Sequence, residues 1–243
     1  MKLGVSSAAA PHADLDTLVD ACVYRGLAVL ELRVGDGHGL GAERAPTDLA
    51  AAPSHVSAAG IAIAGVRVGD HNEHVQAAAL ARVLDASVIL AGDTPVAARI
   101  DHVRELAGGD VRIMVEVSGP SAGWLATIAD AGVEFAWTID SGTTDPAADM
   151  EAMLAAGMLP AYVRMAGGVG AESTMGEGRG LGPVMACLTL ARYAGPLILA
   201  PGPVPYRIAW QQWLGSRGGW GCGTAAEKRD RVQLTSGVRG GAA

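Results

Sequence analysis

Hydrophobic and polar positions alternate between two rhythms along this chain. Short apolar runs rich in β-branched residues are each followed by a stretch of helical periodicity. The predicted strands are Leu3–Ser6, Val29–Val34, Ile61–Val68, Val88–Ala91, Val111–Val117, Glu134–Ile139, Ala161–Met165 and Leu197–Ala200. Several are continuous apolar runs, the pattern of strands buried on both faces. Between them, residues 14–25 put Leu15, Leu18, Val19, Cys22 and Val23 on one face, with Asp14 as N-cap and Gly26 as stop. Thr94-Pro95 opens a helix over Val96–Leu106, and helices are also predicted over 73–85, 121–131, 147–156 and 183–194. The segment 46–59 carries Pro46 and Pro53 and has the faintest helical signal.

Strand–helix units repeated in this way predict a single-domain (β/α)8 TIM barrel over residues 1–214. A doubly wound open sheet is the competing arrangement, but no G-x-G-x-x-G follows the first strand. Residues 215–243 are Gly-rich, charged and without periodicity, and are expected to form an irregular or disordered C-terminal tail.

Composition narrows the functional classes. Half of the 243 residues are hydrophobic, enough for one sizeable core. The start of the chain shows no signal-peptide pattern, and no apolar run is long enough to span a membrane, so a cytoplasmic protein is expected. The formal net charge is −7 with no basic stripe, which argues against nucleic-acid binding. Cys22, Cys187 and Cys222 are scattered, giving neither a disulfide framework nor a zinc motif.

In a TIM barrel the chemistry lies at the C-terminal ends of the strands. Glu116 and Asp140 each close a hydrophobic strand there, and their strands are neighbours. A charge in that setting needs a partner. The two carboxylates could share a metal or act as base and acid. Arg33, Arg67 and Arg164 also lie near strand ends, with Tyr162 on the strand of Arg164. Three guanidiniums suit a substrate carboxylate or phosphate; their other role is to neutralise Glu31, Glu116 and Asp140 as barrel ion pairs. His38 and His71 are the candidates for proton transfer, since imidazole titrates near neutrality. His12 and His74 stand close to the same face, whereas His55 and His102 fall within helical segments. Ser118, Ser141 and Ser173 lie in no G-x-S-x-G elbow. Cys22 and Cys187 read as core thiols. The Gly-rich run 176–182 lacks the Lys-Ser/Thr of a P-loop.

These residues resemble the xylose isomerase-like TIM-barrel superfamily, the sugar phosphate isomerase/epimerase group related to endonuclease IV. The resemblance runs from residue 1 to about 214. Lys2-Leu3-Gly4-Val5-Ser6-Ser7 is similar to the first strand. Ala28-Val29-Leu30-Glu31-Leu32-Arg33 is similar to the second, Met114-Val115-Glu116 to the fifth and Ile139-Asp140 to the sixth. Tyr162-Val163-Arg164 sits where the family has H-v-K-D, and Gly176-Glu177-Gly178 with Gly182-Pro183-Val184 resembles the stretch before its last helix. The resemblance implies a divalent metal held by Glu, Asp, His and Glu. Only Glu116 and Asp140 of that set survive: Tyr162 takes the His position, Gly142 that of a further His, and Ala200 that of the second Glu. Two carboxylates make a poor cage for a transition metal, although Mg or Mn could be held with added waters.

The expectation is therefore an isomerase/epimerase-like enzyme that needs no cofactor. It would carry out acid–base proton transfer (isomerisation, epimerisation, or a lyase or cyclase step) on a small polar or anionic metabolite, including one of specialised metabolism. Glu116, Asp140, His38 and His71 would be catalytic, and Arg33, Arg67, Arg164 and Tyr162 would bind substrate. The alternatives are a Mg- or Mn-dependent sugar isomerase/epimerase holding its metal with Glu116 and Asp140, and a non-catalytic binding barrel. Trp210, Trp213 and Trp220 near the C-terminus could pack beneath the barrel or support a homodimer.

Overall fold

The computed structural model describes residues 1–10, 13–35, 52–68, 73–91, 96–106, 109–140, 143, 145–167 and 181–201. Eight parallel strands close a barrel in chain order: β1 (Lys2–Ser6), β2 (Val29–Val34), β3 (Ala62–Val68), β4 (Val88–Leu90), β5 (Ile113–Val117), β6 (Glu134–Ile139), β7 (Tyr162–Gly167) and β8 (Pro196–Pro201). Around them lie α1 (Leu15–Arg25), α2 (Ala52–Ala58), α3 (His74–Val83), α4 (Val96–Leu106), α5 (Ala122–Ala131), α6 (Pro146–Ala155) and α7 (Leu181–Leu190). The (β/α)8 expectation holds, and every predicted strand is present within a residue or two of its expected bounds. The helix caps agree too. Asp14 accepts from Thr17 N at 2.8 Å, and Gly26 ends α1 with φ +67°. Pro53 sits in the first turn of α2, where its missing N–H costs nothing. A short 3-10 turn at Ser7–Ala9, opened by the Ser6 hydroxyl, was not foreseen. Thr94-Pro95, residues 176–180 of the Gly-rich run and the tail 215–243 lie outside the described residues. Among the described residues no helix is long and apolar enough to cross a membrane.

The pleat sorts each strand between two environments. Outward-facing Leu30, Leu32, Val115, Trp137 and Val163 join the large core under the helices. Inward, Val29, Ile89, Met114, Ala136, Tyr162 and Ile198 form a separate cluster plugging the barrel. Its packing leaves no room at Gly4. A Cβ there would collide with the Val29 carbonyl oxygen and come within 2.7 Å of Ile198 Cδ1. Because one obstacle is backbone, Gly4→Ala should destabilise the protein by about 1–3 kcal/mol in urea denaturation. An unchanged midpoint would mean the plug is looser than this.

Two residues further along five of the strands, the inward positions change character. Gly65 is followed by Arg67, Val29 by Glu31, Met114 by Glu116, Ala136 by Thr138 and Tyr162 by Arg164. A period of 2 thus lifts a charged layer onto an apolar plug, at the barrel's C-terminal end.

Candidate active site

The charged layer is one connected network. Arg67 grips Glu116 with two donors: Nε and Nη2 reach Oε2 at 2.8 and 2.6 Å. Thr138 Oγ1 donates to Glu116 Oε1 at 2.8 Å, and Arg164 Nη1 reaches the same oxygen at 3.3 Å. Arg164 Nε also meets Glu31 Oε1 at 3.2 Å, while the Tyr162 hydroxyl donates to Glu31 Oε2 at 2.7 Å. The chain of contacts therefore runs Arg67–Glu116–Arg164–Glu31–Tyr162. Glu31 is fully buried, Arg164 is nearly so, and the Arg67 side chain is 17% exposed, so the network opens toward solvent at Arg67.

Burial raises the Glu116 pKa, but Arg67, Arg164 and the Thr138 hydroxyl outweigh it, and the carboxyl is held below its ordinary range. Burial, reinforced by Glu31, pushes the Tyr162 hydroxyl far upward and keeps it neutral. Arg164 is desolvated, yet Glu31 and Glu116 raise its pKa and keep it charged. The lowered Glu116 value sets a pH dependence. Its stabilising contribution is complete above the unfolded pKa, about 4.3, and is lost as pH falls through the lower folded value. Urea midpoints should therefore drop below about pH 4 and drop less in Glu116→Gln. The same fall in both proteins would show that Glu116 is not its source.

The structure corrects several expectations. Asp140 makes no bond to Glu116. It lies past the end of β6, exposed, bonded to the Thr143 backbone N–H and hydroxyl in a local turn. Glu116 sits level with Ala136 and is partnered by arginines instead. Tyr162, expected to touch substrate, is buried with its hydroxyl committed to Glu31. Arg67 and Arg164 do neutralise Glu31 and Glu116, the second of the two roles considered for them. Arg33 lies two residues beyond Glu31, half-buried, its backbone N–H donated to Ser7 Oγ at 2.8 Å. His74 is buried at the start of α3 with its ring edge-on to His102 of α4. His55 lies 3.8 Å from Asp16 on the helical surface. Cys22 is a core thiol, its pKa pushed by burial to about 11. His12, His38, His71, Ser141 and Ser173 lie outside the described residues.

Glu31 and Thr138 were not nominated as site residues. Their common signal is a polar residue two places after an inward apolar one.

Among the described residues the donor set does not fit the divalent metal that the resemblance implies. Glu116 has both oxygens engaged by arginines and Thr138, Arg164 places a cation beside it, and β8 offers Ala200. Among the described residues no group of three or more His, Cys, Asp or Glu could hold a metal ion.

No family profile and no curated protein matches the chain. Solved structures do. A D-psicose 3-epimerase, crystallised in the presence of D-fructose, superposes with a TM-score of 0.59 at 16% identity, covering 99% of this chain and 100% of that one. An L-ribulose 3-epimerase gives 0.57 at 18% identity, covering 97% and 94%. An uncharacterised protein from Parabacteroides distasonis gives 0.52 at 13% identity, covering 89% and 98%. At these identities the likeness is one of fold, and it agrees with the (β/α)8 TIM barrel read from the sequence.

Proposed function

We propose that this chain is a metal-independent proton-transfer enzyme of the isomerase/epimerase kind, acting on a small polar or anionic carbonyl metabolite. One observation carries the reading: a carboxylate held ionised between two guanidiniums at the catalytic end of the barrel. The sugar epimerases that share the fold support the same class.

Glu116 would take a proton from the carbon beside the substrate carbonyl. The C–H bond breaks, and its electron pair moves to give an enolate with negative charge on the former carbonyl oxygen. Arg67 and Arg164 stabilise that oxygen. Reprotonation on the other face gives the epimer; where the deprotonated carbon carries a hydroxyl, transfer of that hydroxyl's proton to the former carbonyl oxygen and protonation of the former carbonyl carbon give the isomer. His38, His71 or Asp140 would supply the second proton. Arg33 would hold the anionic end of the substrate.

In the free protein Glu116 is a weak base, because Arg67 holds Oε2 with two donors. A substrate anion that engages Arg67 competes for those donors and restores basicity only in the complex.

The test is solvent exchange. The protein is incubated in D2O with small ketoses and hydroxy or oxo carboxylates, and loss of C–H signal is followed by proton NMR. Exchange at one carbon beside a carbonyl is expected. Binding without exchange for every compound would overturn the enzymatic reading and favour a ligand-binding barrel, a reading that the saturation of Glu116 also supports.

A further inference from the structure

Each helix runs back along the strands, so helix C-termini and strand starts share the pole opposite the mouth. Every helix-to-strand turn from α1 to β8 lies among the described residues, 107–108 apart. Three large apolar side chains stand out at this pole. Leu154 lies near the end of α6, Leu159 precedes β7 and Leu190 ends α7; they are 48%, 46% and 84% exposed. α6 packs against α7 and β7 pairs with β8, so the three leucines occupy one sector of the rim. Exposed leucines gathered in one sector and rimmed by charge mark a contact surface.

The charges beside them are sorted by sign. Toward β6 stand Glu134, which opens that strand, and Glu151, three residues before Leu154 and so on its face of α6. Toward β1 stand Arg192, two residues beyond Leu190, and Lys2, whose register partner is Pro196 at the start of β8. All four are exposed, and none makes an ion pair among the described residues. Further round the rim Arg104 reaches the Ala131 carbonyl, but it is paired with Asp101. The order along this sector is therefore acid, leucine, base. A two-fold axis through the leucines reverses that order in a second copy and sets the acids of each against the bases of the other. That is the self-complementarity an isologous contact needs. A partner of uniform charge would match one flank and be repelled by the other.

We propose that this sector is a homodimer interface, in which two copies meet pole to pole on Leu154, Leu159 and Leu190. Lys2 and Arg192 of each then face Glu134 and Glu151 of the other. Both mouths point away from the contact and stay open, so the proposal goes beyond the proton-transfer reading and does not depend on it. Three leucines and four charges fall short of the roughly 20–30 residues a side of a standard interface, so the dimer is weak, with a Kd on the order of 10–100 µM.

Sedimentation velocity of the full chain tests this. Mainly monomer is expected at about 5 µM and mainly dimer at about 500 µM, with the dimer weakened in about 0.5 M salt. Leu190→Asp should abolish the dimer. Lys2→Glu/Arg192→Glu makes both flanks acidic and should also abolish it, as should Glu134→Lys/Glu151→Lys, which makes both basic. An equimolar mixture of these two charge variants should associate again, because their flanks now match. Melting curves check that the variants are folded; if a charge variant is not, Leu190→Asp and the salt dependence of the wild-type protein decide. A wild-type chain still monomeric at about 500 µM would overturn the proposal. Cover by residues 202–243 would then be favoured if Leu190→Asp lowers the melting temperature, and a foreign partner if it does not. A dimer indifferent to Leu190→Asp, or a mixture of charge variants that stays monomeric, would overturn it too.

Discussion

Glu116→Gln is expected to slow solvent exchange into substrate by a factor on the order of 10²–10⁴, the usual contribution of a positioned general base. The amide keeps the shape of the side chain and can still accept from the Thr138 hydroxyl, which lies 2.8 Å from Oε1. It cannot take a proton from carbon, and it no longer balances Arg67 and Arg164. Leaving those guanidiniums short of one carboxylate should cost roughly 3 kcal/mol, within the ~5–15 kcal/mol stability of an ordinary domain. The variant should therefore stay folded, as a melting curve would show, while exchange is lost. An unchanged exchange rate would remove Glu116 from the chemistry.

The largest effect on stability is expected at Arg164. Its guanidinium is the bridge between Glu31 and Glu116, and its side chain is only 8% exposed. Arg164→Met strands Glu31, which is wholly buried and would retain only the Tyr162 hydroxyl. Breaking one side of such a pair costs about 3–5 kcal/mol, or very roughly 6–20 °C in melting temperature for a chain of this size. Glu116 suffers less, because Arg67 still holds it. The decisive comparison is the double variant Arg164→Met/Glu31→Gln. Removing both charges should recover much of the loss, since the penalty comes from an unpaired buried carboxylate rather than from a missing attraction. Strictly additive losses would show that Glu31 and Arg164 are not coupled.

The sequence revealed the barrel because its signals are local. Apolar runs, helical stripes, Asp14 as a cap and Gly26 as a stop each depend on a few neighbouring residues. It also placed Glu116, Arg67 and Arg164 at the right end of their strands, since strand direction alone decides that. It did not disclose who partners whom. The bond from Tyr162 to Glu31 joins residues 131 apart and exists only once the barrel closes. The partners of Glu116 were hidden for a related reason: neighbouring strands suggested Asp140, but Glu116 lies level with Ala136, Asp140 follows the end of β6, and arginines from two other strands hold Glu116. Recognising the step from apolar plug to polar layer, two residues along five of the strands, would have added Glu31 and Thr138 to the site.

Under the proposed function, the arginine–glutamate network stands in place of a divalent metal at this barrel mouth. The most direct measurement is deuterium exchange on one responsive substrate before and after EDTA treatment, with metal content of the chelator-free protein read by elemental mass spectrometry. Exchange unchanged by EDTA, in protein carrying no stoichiometric Mg, Mn, Co or Zn, is the expected result. Near-stoichiometric metal, with exchange lost in EDTA and restored by adding the ion back, would contradict it.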